Sequence, residues 1–180
     1  MIINKFPGIN KLSRKDTFST LMALKNMLES EPSNEVIESI EPRSFTLPQD
    51  NQQFVRYQSQ KQDAVFIAKP KCASEGVNCL LFKNLNDIPR MMANDMIVQR
   101  YIPNPLTLDG LKFDLRIYVI LVDLDQPQAY LCREGMARFC TEEYKAPQQN
   151  NFQNFFSHLT NYSINKHHEE YKESYSAAAQ

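Results

Sequence analysis

The sequence has 180 residues, of which 42% are hydrophobic and 23% are charged, and its formal net charge is −1. This composition is that of one folded domain or part of a larger one, and it excludes disorder throughout the chain. The small net charge excludes strong overall attraction to nucleic acid or an anionic membrane, and no apolar run approaches the roughly 18 residues of a membrane span. We therefore expect a soluble intracellular protein whose four cysteines are reduced thiols outside any metal site.

Residues 1–62 are predicted to form an N-terminal helix followed by a connector. Apolar residues such as Phe18 and Leu21 recur at the spacing of one helix face. The polar stretch that follows contains Pro42 and Pro48, which interrupt helical structure and bracket a short extended segment. We therefore predict a helix packed on one side and then an irregular connector.

Residues 63–105 are predicted to form a small unit of strands with one short helix near Asn86. The apolar run AVFIAKP predicts a strand that delivers Lys69 to its end, and a loop containing Gly76 follows. Further strands are predicted at 80–82 and at the stretch DMIVQR. Loop N–H groups and a lysine ammonium can hold anionic oxygens, so Lys69 is a candidate phosphate contact. The alternative is a surface lysine before an ordinary turn.

Residues 106–180 are predicted to form a mainly antiparallel sheet, arranged as a meander of consecutive strands. Its first strand, KFDLRIYVILV, places Lys112, Asp114 and Arg116 on one face at intervals of about 6.5 Å. The opposite face is apolar, and we expect it to be backed by core. The charges must then lie in water, in ion pairs or against a charged ligand. A ligand cleft and a solvated face with cross-strand ion pairs both fit this pattern.

Two further segments contribute polar side chains beside this strand. In MARFCT, Arg138 alternates with Phe139, so its guanidinium is expected in the same sheet and in the same cleft as Arg116. Two arginines and a lysine that converge favour an anionic substrate. The segment HLTNYSINK, residues 158–166, is dense in hydrogen-bonding side chains. Its alternative interpretation is a polar loop whose Asn and Ser side chains cap turns.

Several stretches, in order, resemble the tubulin tyrosine ligase-like family of amino-acid ligases. The most specific are KFDLR and HLTNYSINK, separated by an RF-T segment, and the others are NKFPGINKLSRKD, PRSFTLP, FIAKP, IVQRYIPNPLTLDG and EGMARFCTEEY. The resemblance implies an incomplete ATP-grasp fold, α/β (α+β) in class. Its implied parts are an N-terminal helix and connector at 1–62, a central subdomain at 63–105 and part of a C-terminal subdomain at 106–180.

The beginning of the sequence, with NKFPG and RKD, resembles the glutamate-adding members of the family more than the tyrosine-adding one. The resemblance implies that ATP phosphorylates a glutamate side chain in a tubulin tail and that the amine of free L-glutamate attacks the acyl phosphate. It implies ATP and Mg²⁺ as cofactors and tubulin or microtubules as the partner, with no nucleic acid and no membrane. The implied protein is a monomer in the cytoplasm, on the cytoskeleton and at the cilium or basal body.

The resemblance also assigns roles to individual residues. Arg116 would face phosphate and the acyl phosphate, Asp114 would contact the ribose, and the QRYI segment would meet adenine through its backbone. The residues implied to act in catalysis are Arg116, Arg138, Asn161 and Lys166. The residues implied to hold the incoming glutamate are Arg138, Tyr162 and Ser163. The residues implied to hold the nucleotide are Lys69, Glu75, Gly76, Gln99, Arg100, Tyr101, Ile102, Lys112, Asp114, Thr160 and Asn161.

Two departures from the family pattern bear on activity. Val77 and Asn78 stand where the family has a basic residue and a glycine, so a weaker grip on phosphate is expected. The family's magnesium-binding cluster, an Asp and then Glu-x-Asn, lies beyond HLTNYSINK, and no such motif follows Lys166 in this sequence. We therefore assign no metal ligand and expect little turnover by the purified chain. The alternative function is a non-catalytic nucleotide- or tubulin-binding member of the family.

Overall fold

The computed structural model describes residues 6, 8–11, 14–28, 42–72, 76–90, 92, 94–123, 126, 128–169 and 171. Its architecture is mixed α/β with antiparallel sheets, as predicted. The helices are α1 (Lys15–Leu28), α2 (Asn51–Gln60), α3 (Phe155–His158) and α4 (Tyr162–Asn165). The strands are β1 (Ser44–Thr46), β2 (Phe66–Pro70), β3 (Leu80–Phe82), β4 (Met96–Arg100), β5 (Thr107–Leu108), β6 (Leu111–Arg116), β7 (Val119–Asp123), β8 (Gln128–Leu131) and β9 (Met136–Glu143).

The chain divides into two compact units, which are described separately. Unit 1 comprises Met1–Pro103 and Pro147–Gln153, and unit 2 comprises Asn104–Ala146 and Asn154–Gln180. The four cysteines are free thiols, as predicted, and each unit contains two of them. Across the described ranges, no helix is both long enough and apolar enough to span a membrane.

Unit 1 is built on a four-stranded antiparallel sheet with the strand order β1-β4-β2-β3. Its core is aromatic: the ring of Phe54 in α2 lies 5.3 Å from Phe45 in β1 and 5.0 Å from Phe66 in β2. Because side chains alternate along a strand, the register places Lys69 and Gln99 on the face opposite Phe66. The aromatic core therefore packs on one face of the sheet, and the other face carries Lys69 and Gln99 beside the buried side chains of Ile67 and Ile97.

The three strands predicted for the central part of the sequence are confirmed as β2, β3 and β4. The short helix predicted near Asn86 is instead a single 3₁₀ turn, Leu85–Asp87, placed slightly earlier in the chain. The backbone N–H of Asn84 donates to the Asp87 carboxylate at 2.9 Å, and the Asn84 side chain accepts in return. This reciprocal capping fixes where the turn begins.

Helix α2 lies inside the stretch that was predicted to be an irregular connector. Its sequence is mostly polar, and the contact with the core depends on Phe54 and Tyr57, one turn apart on the same side. Two apolar residues are too few for periodicity to reveal a helix. Helix α1 is found where predicted, but Phe18 and Leu21 are nearly half exposed, so the predicted packing of that stripe is wrong for both residues.

Removal of the central ring of unit 1 is expected to be costly. Phe54 is fully buried between Phe45 and Phe66, so Phe54→Ala exchanges aromatic contacts for a cavity. We expect the free energy of unfolding, measured by chemical denaturation, to fall by about 3–5 kcal/mol. Val55→Ala is the control, since Val55 is 49% exposed on the same helix, and it should change that free energy by less than about 0.5 kcal/mol. Equal losses in both variants would contradict this packing.

Unit 2 is organised by a bent antiparallel ribbon, in which β6 pairs with β9 and β7 pairs with β8. The predicted single strand KFDLRIYVILV is therefore two strands, which are separated at Ile117 and Tyr118. The predicted meander is wrong, because β9 returns to β6 instead of pairing with β8. Gly135 permits the bend: a Cβ atom there would lie 2.8 Å from the carbonyl oxygen of Arg116, closer than a side chain allows.

The prediction of an apolar ribbon face backed by core is correct only at its beginning. The ring of Phe113 packs against that of Phe139 across the β6–β9 pair, at 5.6 Å between centroids. Farther along the ribbon, Leu115, Ile117 and Val119 are 65%, 61% and 57% exposed. Alternation defines two faces of a strand, but burial needs a second layer, and the described residues provide none over this part of the ribbon.

Candidate functional site

Unit 1 contributes a lysine whose ammonium is held by a short chain of side chains. The Nζ atom of Lys69 donates to Oε1 of Gln99 at 2.7 Å, and Nε2 of Gln99 donates to the hydroxyl of Ser44 at 2.9 Å. Three neighbouring strands thus take part in orienting one cation at the end of β2. The arrangement is suited to an anionic group that approaches this face of the sheet.

The segment after β4 combines a buried anchor with exposed neighbours. The amides of Arg100 and Tyr101 donate to the carbonyls of Arg43 and Val65, each at 2.9 Å. The Tyr101 side chain is buried, whereas that of Ile102 is exposed. The backbone of this segment is therefore fixed to unit 1, and an adenine contact would have to use its other peptide groups.

The loop after Lys69 is described only in part, because Glu75 lies outside the described residues. Gly76 has φ +79° and Asn78 has φ +55°, so the loop turns through the left-handed region at both positions. A glycine adopts this conformation readily, and asparagine tolerates it better than most residues. Asparagine at position 78 is therefore compatible with the loop's backbone.

Unit 2 contributes an ion pair between neighbouring strands. Asp114 of β6 lies directly opposite Arg138 of β9, and Nε and Nη2 of Arg138 donate to Oδ1 and Oδ2 at 2.8 and 2.5 Å. The hydroxyl of Thr160 donates to Oδ2 at 2.8 Å. This register confirms the prediction that Arg138 lies in the same sheet as the charged row of β6, and it places Arg138 on the same face as Asp114. The charge of Asp114 is therefore in an ion pair with Arg138, which is one of the environments expected for the charged residues of β6.

The protonation states of this pair follow from its contacts. Partial burial raises the pKa of Asp114, but the hydrogen bonds from Arg138 and Thr160 and the positive charges of Arg138 and Arg116 lower it below the ordinary aspartate value. The carboxylate raises the pKa of the Arg138 guanidinium in return. Asp114 is therefore an anion and Arg138 a cation at neutral pH.

The other two charges of the row are used differently. The Nζ atom of Lys112 donates to the carbonyl oxygen of His158 at 2.8 Å and lies 5.9 Å from the ring centroid of Tyr144. Lys112 thereby ties β6 to the HLTNYSINK segment. Arg116 is exposed at the end of β6, opposite Met136. The two residues therefore have different surroundings, although the sequence pattern treats them alike.

The HLTNYSINK segment forms the end of α3, a three-residue loop and α4. The hydroxyl of Thr160 is directed to Asp114, and Asn161 begins the turn into α4. Tyr162 is about half exposed, and Nζ of Lys166 lies 5.4 Å from its ring centroid. Of the residues predicted from the sequence, Asp114, Arg138 and Thr160 are joined by contacts within unit 2, and Lys112 bonds to the backbone at His158.

Sequence reasoning gave no role to two residues that shape this region. Asn165 is buried and bonds to Thr141 of β9 and to the backbone of the 158–166 segment. The carbonyl oxygen of His158 accepts a hydrogen bond from the Lys112 ammonium. The sequence shows that this segment is rich in asparagine. It does not show these contacts, because Thr141 is 24 residues from Asn165 and Lys112 is 46 residues from His158.

The donor set suits anionic organic groups better than a metal ion. Arg116 and Arg138 contribute positive charges beside one carboxylate, and both oxygens of Asp114 already accept hydrogen bonds. No group of three or more His, Cys, Asp or Glu side chains among the described residues is arranged to hold a metal. The residues described here do not fit Mg²⁺, which prefers several oxygen ligands, so no step is assigned to a metal ion.

The chain is similar to known proteins over most of its length. The family model described as "Tubulin-tyrosine ligase family" matches residues 1–180. Tubulin polyglutamylase TTLL13 of Homo sapiens is 38% identical over 94% of this chain, and tubulin polyglutamylase ttll6 of Danio rerio is 39% identical over 94%. These matches cover 20% and 21% of the relatives, so the chain spans about a fifth of their length. The chain belongs to the tubulin-tyrosine ligase family.

Proposed function

We propose that this chain is the nucleotide- and substrate-holding part of an ATP-dependent ligase that joins L-glutamate to glutamate side chains of tubulin. The main support is the group in unit 2, where Lys112, Arg116 and Arg138 accompany Asp114. A net positive surface of this kind favours phosphate and carboxylate groups. The names of the relatives, which are tubulin polyglutamylases, support the choice of tubulin and of glutamate.

For the nucleotide, the proposed contacts follow the roles that the family resemblance implies for individual residues. Lys69 and Lys112 would contact phosphate oxygens, with the loop at Glu75 and Gly76 covering them. Asp114 would accept a hydrogen bond from the ribose, beside Thr160 and Asn161. The adenine would contact the backbone of the QRYI segment, residues 99–102. Of the four residues in that segment, the amides of Arg100 and Tyr101 already donate within unit 1, so the carbonyls and the Ile102 amide are the proposed contacts.

The proposed reaction has two steps, phosphorylation of the acceptor carboxylate and then attack by the amine of glutamate. A carboxylate oxygen of the acceptor glutamate attacks the γ-phosphorus of ATP, the bond to the β-phosphate oxygen breaks, and ADP leaves. The amine of free glutamate then attacks the carbonyl carbon of the acyl phosphate, and inorganic phosphate leaves as the amide forms and the amine loses a proton. Both steps develop negative charge on oxygen, which fixed cations stabilise.

The two arginines would stabilise different anions in this reaction. Arg116, at the exposed end of β6, would face the transferred phosphoryl group and the acyl phosphate. Arg138 would bind the carboxylate of the incoming glutamate, near Tyr162 and Ser163. Two of its N–H groups donate to Asp114, and a guanidinium has five, so it can bind a second carboxylate without losing the first. Lys166 and Asn161 would border the reacting centre.

The proposal includes a cellular setting. The partner is tubulin or the microtubule, and the expected location is the cytoskeleton of the cytoplasm, including the cilium and basal body. The protein is expected to act as a monomer. The names of the relatives, which are tubulin polyglutamylases, support tubulin as the partner.

A second candidate is a non-catalytic module that binds nucleotide or tubulin. It is favoured by one observation, namely that the donor set around Asp114 does not suit Mg²⁺. Such a module would keep the phosphate-binding cations but lack the charge stabilisation that a metal supplies to phosphoryl transfer.

Two measurements on the purified chain separate these functions. Calorimetric titration with ATP, with and without Mg²⁺, measures nucleotide binding, and transfer of radiolabelled glutamate to tubulin measures ligation. Binding with incorporation supports the ligase, and binding without incorporation supports the non-catalytic module. A chain that binds no ATP would contradict both nucleotide-dependent proposals.

A further inference from the structure

The loop between α3 and α4 carries a side chain that contacts the ion pair of unit 2. This 159–161 loop comprises Leu159, Thr160 and Asn161, and it is named by these residues below. Thr160 is largely buried, and its hydroxyl donates to Oδ2 of Asp114 at 2.8 Å. A small displacement of the loop would break this contact, so whatever holds the loop controls the surroundings of Asp114.

Asn165 makes four hydrogen bonds that hold this loop. Its Nδ2 atom donates to the carbonyl oxygens of Leu159 at 2.7 Å and Asn161 at 3.0 Å. Its Oδ1 atom accepts from the amide of Thr141 at 2.9 Å and from the Thr141 hydroxyl at 3.0 Å. A primary amide has two donor hydrogens and two acceptor lone pairs, so its hydrogen-bonding capacity is fully used.

The position of Asn165 makes these bonds informative. The side chain is only 1% exposed, so water cannot replace a lost partner. Thr141 lies in β9, the same strand that carries Arg138. The amide of Asn165 therefore connects the 159–161 loop to the strand on which the ion pair is built. Beside it, Lys112 holds the preceding carbonyl, that of His158.

We propose that Asn165 is a positioning residue, which fixes the 159–161 loop on β9 so that the Thr160 hydroxyl stays on Asp114. It touches neither nucleotide nor substrate and acts through the loop. The importance of this contact for ligand binding rests on the proposed function, because it assumes that Asp114 and Thr160 belong to the nucleotide site. The geometric part of the proposal, that Asn165 controls the Thr160–Asp114 contact, does not depend on ATP.

The test measures the pKa of Asp114 by carbon-detected NMR titration of its carboxyl group in the purified chain without nucleotide. Thr160→Val removes a hydrogen bond that lowers this pKa, so the pKa should rise. Asn165→Ala should raise it in the same direction, because the released loop withdraws Thr160. The double variant should show no more than the larger single shift, since both changes remove one contact. Arg138 and Arg116, the charged groups that also act on Asp114, are unchanged throughout.

Thr141→Val is the matched control. It removes one hydrogen bond from Asn165 but leaves both donations to the loop, so the pKa of Asp114 should stay at the wild-type value. The proposal is overturned if folded Asn165→Ala leaves that pKa unchanged, if the two single shifts add fully, or if Thr141→Val matches Asn165→Ala. If Asn165→Ala does not fold, Asn165→Ser, whose hydroxyl can still accept from Thr141, carries the same expectations.

ATP affinity separates this proposal from the proposed function. If the wild-type chain binds ATP, Asn165→Ala should raise the dissociation constant about tenfold, the factor that corresponds to one lost hydrogen bond. An unchanged dissociation constant would contradict the link from loop to nucleotide. If the wild-type chain binds no ATP, the nucleotide site is wrong, and the titration of Asp114 still decides whether Asn165 positions the loop.

Discussion

Arg138→Ala is expected to lower ATP-dependent incorporation of glutamate into tubulin by about 10²–10³-fold, in protein that shows this activity before the substitution. The guanidinium is proposed to hold the carboxylate of the incoming glutamate, and loss of one such electrostatic contact costs about 10²–10³ in turnover. The change also leaves Asp114 without its partner in a partly buried position. The measurement is initial rate against glutamate concentration, because a missing carboxylate contact should raise the KM for glutamate.

Two further variants sharpen this result. Arg138→Lys keeps the charge but loses the planar fork that donates to both oxygens of Asp114, so it should recover only part of the rate. Arg133→Ala removes an exposed arginine of the same ribbon and should leave the rate and the KM unchanged. If Arg138→Ala and Arg133→Ala had equal rates, the proposed role of Arg138 in binding glutamate would be wrong.

Arg116→Ala is expected to reduce the same activity by a comparable factor, about 10²–10³, but through the phosphoryl step. Arg116 is exposed at the end of β6 and is proposed to face the transferred phosphoryl group. The KM for glutamate should therefore change little, while the rate at saturating ATP and glutamate falls. The measurement is release of ADP together with incorporation of glutamate, followed at saturation.

Comparison of the two arginine variants provides the internal control. The structure gives them different surroundings, because Arg138 is paired with Asp114 and Arg116 lies opposite Met136. If Arg116→Ala raised the KM for glutamate as Arg138→Ala does, the two roles would not be distinct. Normal incorporation by Arg116→Ala would overturn its assignment to the phosphoryl group.

The pattern of apolar residues along the sequence was sufficient to predict the short, buried strands of unit 1. The apolar run ending at Lys69 predicted β2, and residues 80–82 predicted β3, because both strands are buried and short. The break after Arg116 could not be predicted in this way, since it depends on the close approach of Gly135, which lies in the connection between β8 and β9. Helix α2 was missed because a mostly polar segment with one buried ring has no clear period.

The candidate site was predictable to the extent that alternation along strands places side chains on a common face. Alternation along MARFCT correctly placed Arg138 in the same sheet as the charged row of β6, but it did not identify Asp114 as its partner. The same reasoning could not distinguish Lys112, which binds a carbonyl, from Arg116, which is exposed. It also could not find the Asn165 contacts with Thr141, since a hydrogen bond between distant segments is a property of the folded chain.

The pairing of Arg138 with Asp114 also has an entropic consequence for ligand binding. A long side chain that is first ordered by its ligand loses rotamer freedom at that moment, at a cost of about 0.5–1.5 kcal/mol. Arg138 is already fixed by two hydrogen bonds across the strands. The rotamer freedom of Arg138 is therefore lost when the chain folds, so the carboxylate that it is proposed to bind would meet a guanidinium that is already ordered.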